Sequence, residues 1–376
     1  MVNEEVIENF TSSGITPYTK RNNLVDKLVV GVPSGSLNDP RRGSTKDRFA
    51  RCFFYLGNYE TDSSSKPVSV NDRDIHPILI RPQLAFPYLR DGHLDAAIVG
   101  DDWYHEWIAR DPSIGRDELV KKICDLNFGG VNLVPATKRF VPGNTMDEFL
   151  EFMIQEGVEE LVGSSEYPGL AVELLMHHIL KNDKFKEYFG EERPTFKFAS
   201  GEKYKGNPKL RIEESCGATE AQVGFTSHWI LEVTQQGNSF ASHYLKPLES
   251  EFSINSSAGF YASKIALGIP HKQKKIYYFR DMLERFGDDV VNPKDFIDLE
   301  FDAKGTENLE NVLRVCDGVN DVCVSDDRLE LTTKARYVWP IAKILKDHNV
   351  GLNELRIKCK QGVKLCGFGI YRRRSL

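Results

Sequence analysis

The stretch that decides the fold is Glu214-Ser-Cys-Gly-Ala-Thr-Glu-Ala221, followed by Phe225-Thr-Ser-His-Trp-Ile-Leu-Glu-Val233 and Thr234-Gln-Gln-Gly-Asn-Ser239. The β-rich residues from His228 to Val233 predict a strand, and Phe240-Ala-Ser-His-Tyr-Leu245 predicts the start of a helix after a polar turn. The unpaired N–H groups and the dipole at a helix start favour a phosphate, and Gly237 allows close approach of the backbone. The stretch therefore predicts a strand, a phosphate-sized turn and a helix. A polar turn with one glycine also fits a plain connection.

Two side chains near this turn carry further chemistry. Glu232 stands near the end of the predicted strand, where its carboxylate can accept hydrogen bonds from a sugar diol, and Ser239 adds a hydroxyl beyond the turn. A phosphate seat beside a diol acceptor indicates a sugar phosphate as the ligand. His228, at the start of the strand, is the one histidine that we single out. Trp103, Trp107 and Trp229 are interpreted as packing residues, with stacking of a purine on Trp103 as the alternative.

Composition excludes several classes of protein. The 376 residues allow two or three domains, and the net charge of −6 favours neither nucleic acid nor an anionic membrane as a partner. No apolar run reaches the ~20 residues of a membrane helix, and the N-terminal residues lack an apolar signal core. The seven cysteines include no Cys-x-x-Cys pair. We therefore expect a cytoplasmic protein without a cysteine zinc site.

The preceding part of the chain reads as alternating strands and helices. Leu28 to Val32 predicts a buried strand, and the glycine turn Pro33-Ser-Gly-Ser-Leu37 follows it. Asp101 and Asp102 come directly after the apolar strand Ala96-Ala-Ile-Val99. In open α/β sheets, ligands bind beyond the carboxyl ends of parallel strands, although Asp102 also fits a helix N-cap. Ser164 or Ser165 is expected to cap the helix that begins near Leu170, which would make a third turn with free amides.

The C-terminal third has a different pattern. In order, the sequence predicts a strand at Phe296–Phe301, a helix at 307–315, strands at 322–324 and 329–331, a helix at 338–347 and a strand at 355–359. This βαββαβ order is typical of a ferredoxin-like domain. Domains of this shape commonly serve regulation or assembly.

Several short motifs occur in one colinear order over residues ~25 to ~360. They are Pro33-Ser-Gly-Ser-Leu37, Arg81-Pro-Gln, Pro87-Tyr-Leu-Arg-Asp-Gly92, Leu94-Asp-Ala-Ala-Ile-Val-Gly-Asp101, Asp125-Leu-Asn-Phe-Gly-Gly130, Glu166-Tyr-Pro168 and Gly217-Ala-Thr-Glu-Ala221, followed by the opening stretch. In this order they resemble the long form of ATP phosphoribosyltransferase, the first enzyme of histidine biosynthesis. In that family the loop corresponding to residues 234–239 seats the 5-phosphate and the ribose of phosphoribosyl pyrophosphate.

The resemblance implies an α/β fold of two periplasmic-binding-protein-like lobes of type II, with the site in a cleft, plus the C-terminal ferredoxin-like domain. The implied divisions are an arm at 1–24, lobe I at 25–130 and 245–270, lobe II at 131–244 and a regulatory or assembly domain at 271–376. The implied reaction joins N1 of ATP to C1 of phosphoribosyl pyrophosphate and releases pyrophosphate. Mg²⁺ would be bound through the pyrophosphate, with no metal ligands assigned on the protein. A homo-oligomer, either a dimer or a hexamer, is expected.

The resemblance also implies roles for individual residues. Glu232 and Glu220 are the expected catalytic residues, with Glu232 on the ribose hydroxyls and Glu220 orienting the loop or the purine. Phosphoribosyl pyrophosphate would be bound by Thr234, Gln235, Gln236, Gly237, Asn238 and Ser239. The nucleotide would be bound by Ser34, Gly35, Ser36, Arg81, Asp101, Ser165, Glu166 and Tyr167.

The chain departs from the family pattern at two turns. Pro33 and Ser36 stand where the family has lysine and arginine, with Arg41, Arg42 and Lys46 as possible replacements, and Gln236 stands where it has the threonine of a Thr-Gly pair.

Three functions therefore stay open. The first is an ATP phosphoribosyltransferase, either of histidine biosynthesis or of a specialised purine-nucleoside pathway of the coformycin type. The second is a phosphoribosyltransferase with another nitrogen acceptor, and the third is a non-catalytic nucleotide-binding homologue.

Overall fold

A computed structural model describes most of the chain. The described residues are 24, 26–35, 37, 44–59, 67–110, 119–234, 238–252, 254–285, 296–302, 309–316, 318–325, 328–348, 355–359 and 362–366. Several predicted features lie outside them: the N-terminal arm up to residue 23, Ser36, Arg41, Arg42, Gln235, Gln236, Gly237 and the side chains of Asn238 and Ser239.

The helices and strands are numbered in chain order. The first are β1 Leu28–Pro33, α1 Thr45–Arg51, β2 Ile75–Ile80, α2 Pro82–Arg90, β3 Ala96–Gly100, α3 Asp101–Arg110 and β4 Val120–Asp125. The next are β5 Val131–Lys138, α4 Met146–Gln155, β6 Leu161–Ser165, α5 Pro168–Lys181, α6 Asp183–Phe189, β7 Pro194–Lys197, β8 Lys203–Tyr204, β9 Asn207–Glu214, β10 Trp229–Thr234, α7 Asn238–Ser242, β11 Leu245–Pro247, β12 Ile254–Ser256 and β13 Ala258–Ser263. The last are α8 Lys264–Leu267, α9 Pro270–Arg285, β14 Phe296–Asp302, α10 Leu309–Arg314, β15 Val319–Ser325, β16 Arg328–Lys334, α11 Val338–Asp347, β17 Leu355–Cys359 and β18 Gly362–Cys366.

These strands form three sheets. The first has the order β2-β1-β3-β13-β4, and the second has the order β11-β5-β10-β6-β9-β7-β8 with β12 also paired to β5. The third has the order β15-β16-β14-β17-β18. Its first four strands have the arrangement of a ferredoxin-like sheet, and β18 extends the edge by pairing antiparallel with β17. The fold class predicted from the sequence, an α/β fold with a C-terminal ferredoxin-like βαββαβ domain, is confirmed.

By its internal contacts the chain divides into two compact units. One comprises Met1–Arg81, Pro87–Ile98 and Phe260–Leu376, and the other comprises Pro82–Phe86 and Val99–Gly259. The finer division into an arm, two lobes and a C-terminal domain stays a prediction.

The core of the first unit is aromatic. Phe279 of α9 lies with its ring centroid 5.2 Å from that of Phe49 and 5.3 Å from that of Phe260. Trp339 of α11 stacks on Phe54 at 5.1 Å, and its indole N–H donates to the Cys52 carbonyl over 2.9 Å. The C-terminal helix α11 is therefore held against this core by both packing and a buried hydrogen bond.

Local signals explain the bounds of several elements in the second unit. Thr145 accepts a hydrogen bond from the Glu148 amide, and the Glu148 carboxylate accepts one from the Thr145 amide. This capping box starts α4 at Met146. Trp229 is fully buried in β10 and lies against Gly163, where an added Cβ would come within 2.6 Å of the indole. The packing role predicted for Trp229 is confirmed.

One predicted element is shorter than expected. The helix after the polar turn contains only the five residues Asn238–Ser242, and Leu245 already belongs to strand β11. The expected helical run from Phe240 to Leu245 is therefore wrong in its second half. Leu245 pairs antiparallel with Lys138 of β5, and the hydrogen bonds of that pairing end the helix.

Candidate active site

The candidate site lies where three parallel strands of the second sheet end. Strand β6 pairs in parallel with β9 on one side and with β10 on the other, so that Ser165 lies level with Glu214 and with Leu231. Beyond these ends come Glu166 after β6, Glu220 in the short 3-10 turn Thr219–Ala221 after β9, and Glu232 near the end of β10. The edge thus has the position that the general rule for open α/β sheets assigns to a ligand.

Glu232 has an unusual environment for a carboxyl group. Its Oε1 accepts a hydrogen bond from the Val233 amide over 2.9 Å. Burial is the largest influence on this group and, with Glu220 and Glu166 nearby, raises its pKa to about 7, although the Val233 amide and the Thr219 hydroxyl oppose the rise. Near neutral pH the group is therefore partly protonated, so that it can both accept and donate hydrogen bonds.

A network of neutral polar side chains supports the turn between β9 and β10. The Ser164 hydroxyl donates to Gln222 Oε1 over 2.5 Å, and Gln222 Nε2 donates to Ser215 Oγ over 3.0 Å. Thr219 Oγ1 also donates to Ser215 Oγ over 3.0 Å. These bonds connect the end of β6 with the turn that carries Glu220.

The start of helix α5 is already occupied by a protein carboxylate. Glu106 of α3 is 1 % exposed and accepts hydrogen bonds from the amides of Gly169 over 3.0 Å and Leu170 over 2.9 Å. Arg110 pairs with Glu106 over 2.5 Å and with Glu214 over 2.8 Å. Burial raises the pKa of Glu106 to about 7 against the opposing effects of Arg110 and the two amides. The prediction that a serine caps this helix and leaves its amides free is wrong, because Glu106 takes both amides.

Ser165 and Tyr167 are both engaged inside the protein. The Ser165 hydroxyl donates to the Leu231 carbonyl over 2.6 Å and accepts from the Tyr167 amide over 2.8 Å. The Tyr167 hydroxyl donates to Asp102 over 2.6 Å, and its ring lies 4.3 Å from that of Trp103. Their predicted contact with a nucleotide stays a prediction, while their described contacts position the Glu166 backbone between them.

The two aspartates at the start of α3 have different roles. Asp102 is 5 % exposed and accepts from the Ser256 hydroxyl over 2.6 Å as well as from Tyr167, and burial raises its pKa. Asp101 forms an ion pair with Lys122 over 2.9 Å. Asp102 is thus a buried structural group, and Asp101 is the more accessible member of the pair.

Ser34 and Gly35 of the first predicted turn lie within the described part of the chain, and so does Arg81 before α2. The Ser34 amide donates to the Ile80 carbonyl over 2.8 Å, so it is used by the sheet. Gly35 has a φ of +86°, which a residue with a side chain adopts only with strain. Arg81 is exposed at the N-cap of α2, and within the described part of the chain its side chain forms no ion pair. Of these three residues, Arg81 is the one whose side chain carries a charge for an anionic ligand.

The predicted phosphate loop is described only at its two ends. Thr234 closes β10 opposite Asn132, and α7 begins at Asn238. His228 is a structural residue, since its Nδ1 accepts from the Val162 amide over 3.0 Å and burial lowers its pKa.

Two absences are found among the described residues. Among them, no group of three or more His, Cys, Asp or Glu side chains is arranged to hold a metal ion. None of the helices within the described ranges is long and apolar enough to cross a membrane.

Sequence reasoning did not identify Glu106 or Gln222. The signal for Glu106 was present in part, because Glu106 and Arg110 are spaced i,i+4 on an otherwise aromatic helix face. Gln222 had no signal, since a single glutamine in a polar turn is usually solvated.

The comparisons with known proteins identify the family. The family model described as HisG, ATP phosphoribosyltransferase, matches residues 81–285, which is more than half of the 376-residue chain. The chain belongs to the ATP phosphoribosyltransferase family. The matched segment of this family member contains Arg81, Glu106, Glu166, Glu220 and Glu232.

Two relatives and one solved structure are similar to this chain. An ATP phosphoribosyltransferase of Solibacter usitatus is 26 % identical over 262 residues, covering 68 % of this chain and 72 % of its own length. One from Prosthecochloris aestuarii is 26 % identical over 278 residues, covering 72 % and 78 %. The solved ATP phosphoribosyltransferase (HisG:HisZ) complex from Thermotoga maritima is 16 % identical with a TM-score of 0.44, covering 68 % of this chain and 96 % of that one.

Proposed function

We propose that the protein is an ATP phosphoribosyltransferase, a pentosyltransferase that joins N1 of ATP to C1 of phosphoribosyl pyrophosphate and releases pyrophosphate. The observation that carries the proposal is the family match over residues 81–285, which includes Glu166 after β6, Glu220 after β9 and Glu232 near the end of β10. This is the first step of histidine biosynthesis, and the same chemistry would serve a specialised purine-nucleoside pathway.

In this proposal Glu232 binds the ribose of phosphoribosyl pyrophosphate, and Glu220 orients the neighbouring loop or the purine. The 5-phosphate of phosphoribosyl pyrophosphate is held by residues 234–239, where the chain passes from β10 into α7. The nucleotide is bound by Arg81 and by Ser34, Gly35, Ser36, Asp101, Ser165, Glu166 and Tyr167. Since the amides at the start of α5 are occupied by Glu106, the phosphates of ATP must be bound by other groups.

The reaction requires little acid–base chemistry from the protein. N1 of ATP attacks C1 with its own lone pair while the C1–O bond to pyrophosphate breaks, and the bonding electrons leave with pyrophosphate. No proton has to be removed from N1 for this bond to form, so a strong base is not required. The transition state resembles an oxocarbenium ion, which nearby carboxylates stabilise electrostatically. Catalysis then depends mainly on positioning and preorganised charge.

Mg²⁺ is proposed to enter with the pyrophosphate group. The described residues contain no cluster arranged to hold a metal by itself, and the diphosphate oxygens are the hard ligands that Mg²⁺ prefers. When bound, the ion would neutralise the leaving group. We further propose that the protein acts in a reducing compartment, which suits the free cysteines among the described residues, and that it assembles as a homo-oligomer.

Incubation of the protein with ATP, phosphoribosyl pyrophosphate and Mg²⁺ tests the proposal. Pyrophosphate release that requires both substrates is the expected result. Glu232→Ala should weaken binding of phosphoribosyl pyrophosphate strongly while the circular dichroism spectrum stays unchanged. Binding of phosphoribosyl pyrophosphate without turnover would indicate another nitrogen acceptor, and absence of both would indicate a non-catalytic protein.

A further inference from the structure

Gln222 lies at the centre of the contacts that hold the turn between β9 and β10. Its side chain bridges two serines, accepting from Ser164 at the end of β6 and donating to Ser215 directly after β9. Its backbone carbonyl accepts from the amides of the three residues 225–227 over 3.0, 2.9 and 3.2 Å. One residue therefore connects the end of a central strand with both sides of the turn.

The backbone of this turn needs such support. Gly217 has a φ of +100° and Ala218 a φ of +50°, and the second of these is strained for a residue with a Cβ. Cys216, Gly217 and Ala218 are also exposed, so they receive little support from packing. The hydrogen bonds of Ser215 to Thr219, Gln222 and the Gly217 carbonyl then keep the turn in one conformation.

The turn carries groups that act on Glu232. Thr219 is 1 % exposed, and Glu220 follows it in the same 3-10 turn. Both residues affect the pKa of the Glu232 carboxyl: the Thr219 hydroxyl lowers it and the Glu220 charge raises it. Loss of the turn conformation would thus displace Glu220 and change the environment of Glu232, the proposed ribose ligand.

We propose that Gln222 is a positioning residue for the phosphoribosyl donor: by bridging Ser164 and Ser215 it holds residues 215–222 so that Thr219 and Glu220 keep the Glu232 carboxyl in the state that binds the ribose hydroxyls. The inference rests on the proposed function and assigns a role to a residue that does not itself touch the substrate.

Gln222→Met removes both side-chain hydrogen bonds at nearly constant volume. The matched control is Gln155→Met, the same change at the exposed C-terminal end of α4. We expect the KM for phosphoribosyl pyrophosphate to rise about tenfold and kcat to fall in Gln222→Met, because Glu232, whose surroundings depend on the turn, both binds the ribose and stabilises the transition state, while the KM for ATP stays within about threefold of wild type. We also expect the pH midpoint of phosphoribosyl pyrophosphate binding to fall, because a loosened turn exposes the Glu232 carboxyl to water. Gln155→Met should match wild type in every value.

A second variant keeps the test independent of folding. Ser164→Ala removes one of the two bonds of Gln222 and should raise the same KM by a smaller factor, and the double variant should be less impaired than the two single effects combined. An unchanged KM and pH midpoint in folded Gln222→Met, or an unchanged KM in Ser164→Ala if Gln222→Met does not fold, would overturn the inference alone. Failure of the wild-type protein to bind phosphoribosyl pyrophosphate would overturn the proposed function, and the inference with it.

Discussion

The pH dependence of phosphoribosyl pyrophosphate binding offers a direct test of the role of Glu232. Ribose hydroxyls donate hydrogen bonds to the ionised carboxylate, so the ligand favours the charged form. With a pKa of about 7, the ionised fraction of Glu232 rises from about one tenth at about pH 6 to about nine tenths at about pH 8. Affinity should therefore rise about tenfold over this range and be lost as the pH falls through about 7.

Glu232→Gln removes this titration while keeping an acceptor for the Val233 amide. Isothermal titration calorimetry across the same range should show a weaker affinity in the variant and only the shallow pH slope that comes from the phosphates of the ligand. Glu187→Gln, the same change at an exposed position of α6, should retain the slope of the wild type. Identical slopes in wild type and Glu232→Gln would refute the assignment of the ribose to this carboxyl.

Glu232→Gln should lower the affinity for the ligand but raise the stability of the folded protein. Because the folded pKa of Glu232 lies above its ordinary value, the folded state binds the proton more tightly, and the contribution of this group to stability falls as the pH rises from about 4.5 to about 7. Glu232→Gln should therefore raise the free energy of unfolding at about pH 8, by up to about 3 kcal/mol and by less to the extent that solvent screens the partly exposed group. Urea unfolding measures this difference, and a loss of stability in the variant would contradict the burial of the charge.

Three further predictions concern stability. Glu106→Ala should lower the free energy of unfolding by about 3–5 kcal/mol in urea, because two helix amides lose their acceptor and Arg110 loses one of its two carboxylate partners. Tyr167→Phe should cost about 1–3 kcal/mol by the same measurement, because the buried carboxylate of Asp102 loses a hydroxyl donor. Trp339→Phe should lower the melting temperature at a cost of about 1–3 kcal/mol, because the Cys52 carbonyl loses its indole donor.

Each of these changes has a control or a contradicting result. Glu173→Ala, on an exposed position of α5, should stay within about 0.5 kcal/mol of wild type. Wild-type stability in Glu106→Ala would mean that the helix amides find other partners. A neutral effect of Tyr167→Phe would show that Asp102 is protonated and needs no donor, and an unchanged melting temperature for Trp339→Phe would remove the hydrogen bond from the contacts that hold α11.

The order of the elements was largely legible in the sequence. Strands such as Leu28–Pro33 and Ala96–Gly100 consist of apolar residues between turn residues, and α4 carries its own capping box, so neighbours in the chain determine both. The βαββαβ order of the C-terminal part follows from the same local patterns. Glu232 was likewise predicted beside the turn, because its place near a strand end depends only on the strand.

The use of each polar group was decided only by the tertiary structure. Whether the amides of Gly169 and Leu170 are free depends on Glu106, which lies 63 and 64 residues earlier in the chain. The raised pKa of Glu232 depends on burial by the fold, and the bridge made by Gln222 depends on a serine 58 residues away. Hydrophobic periodicity is a property of adjacent residues and can be read along the chain. Hydrogen-bond partners and the desolvation of a charge arise only when distant segments are packed together, and it is these contacts that give this member of the ATP phosphoribosyltransferase family its candidate site.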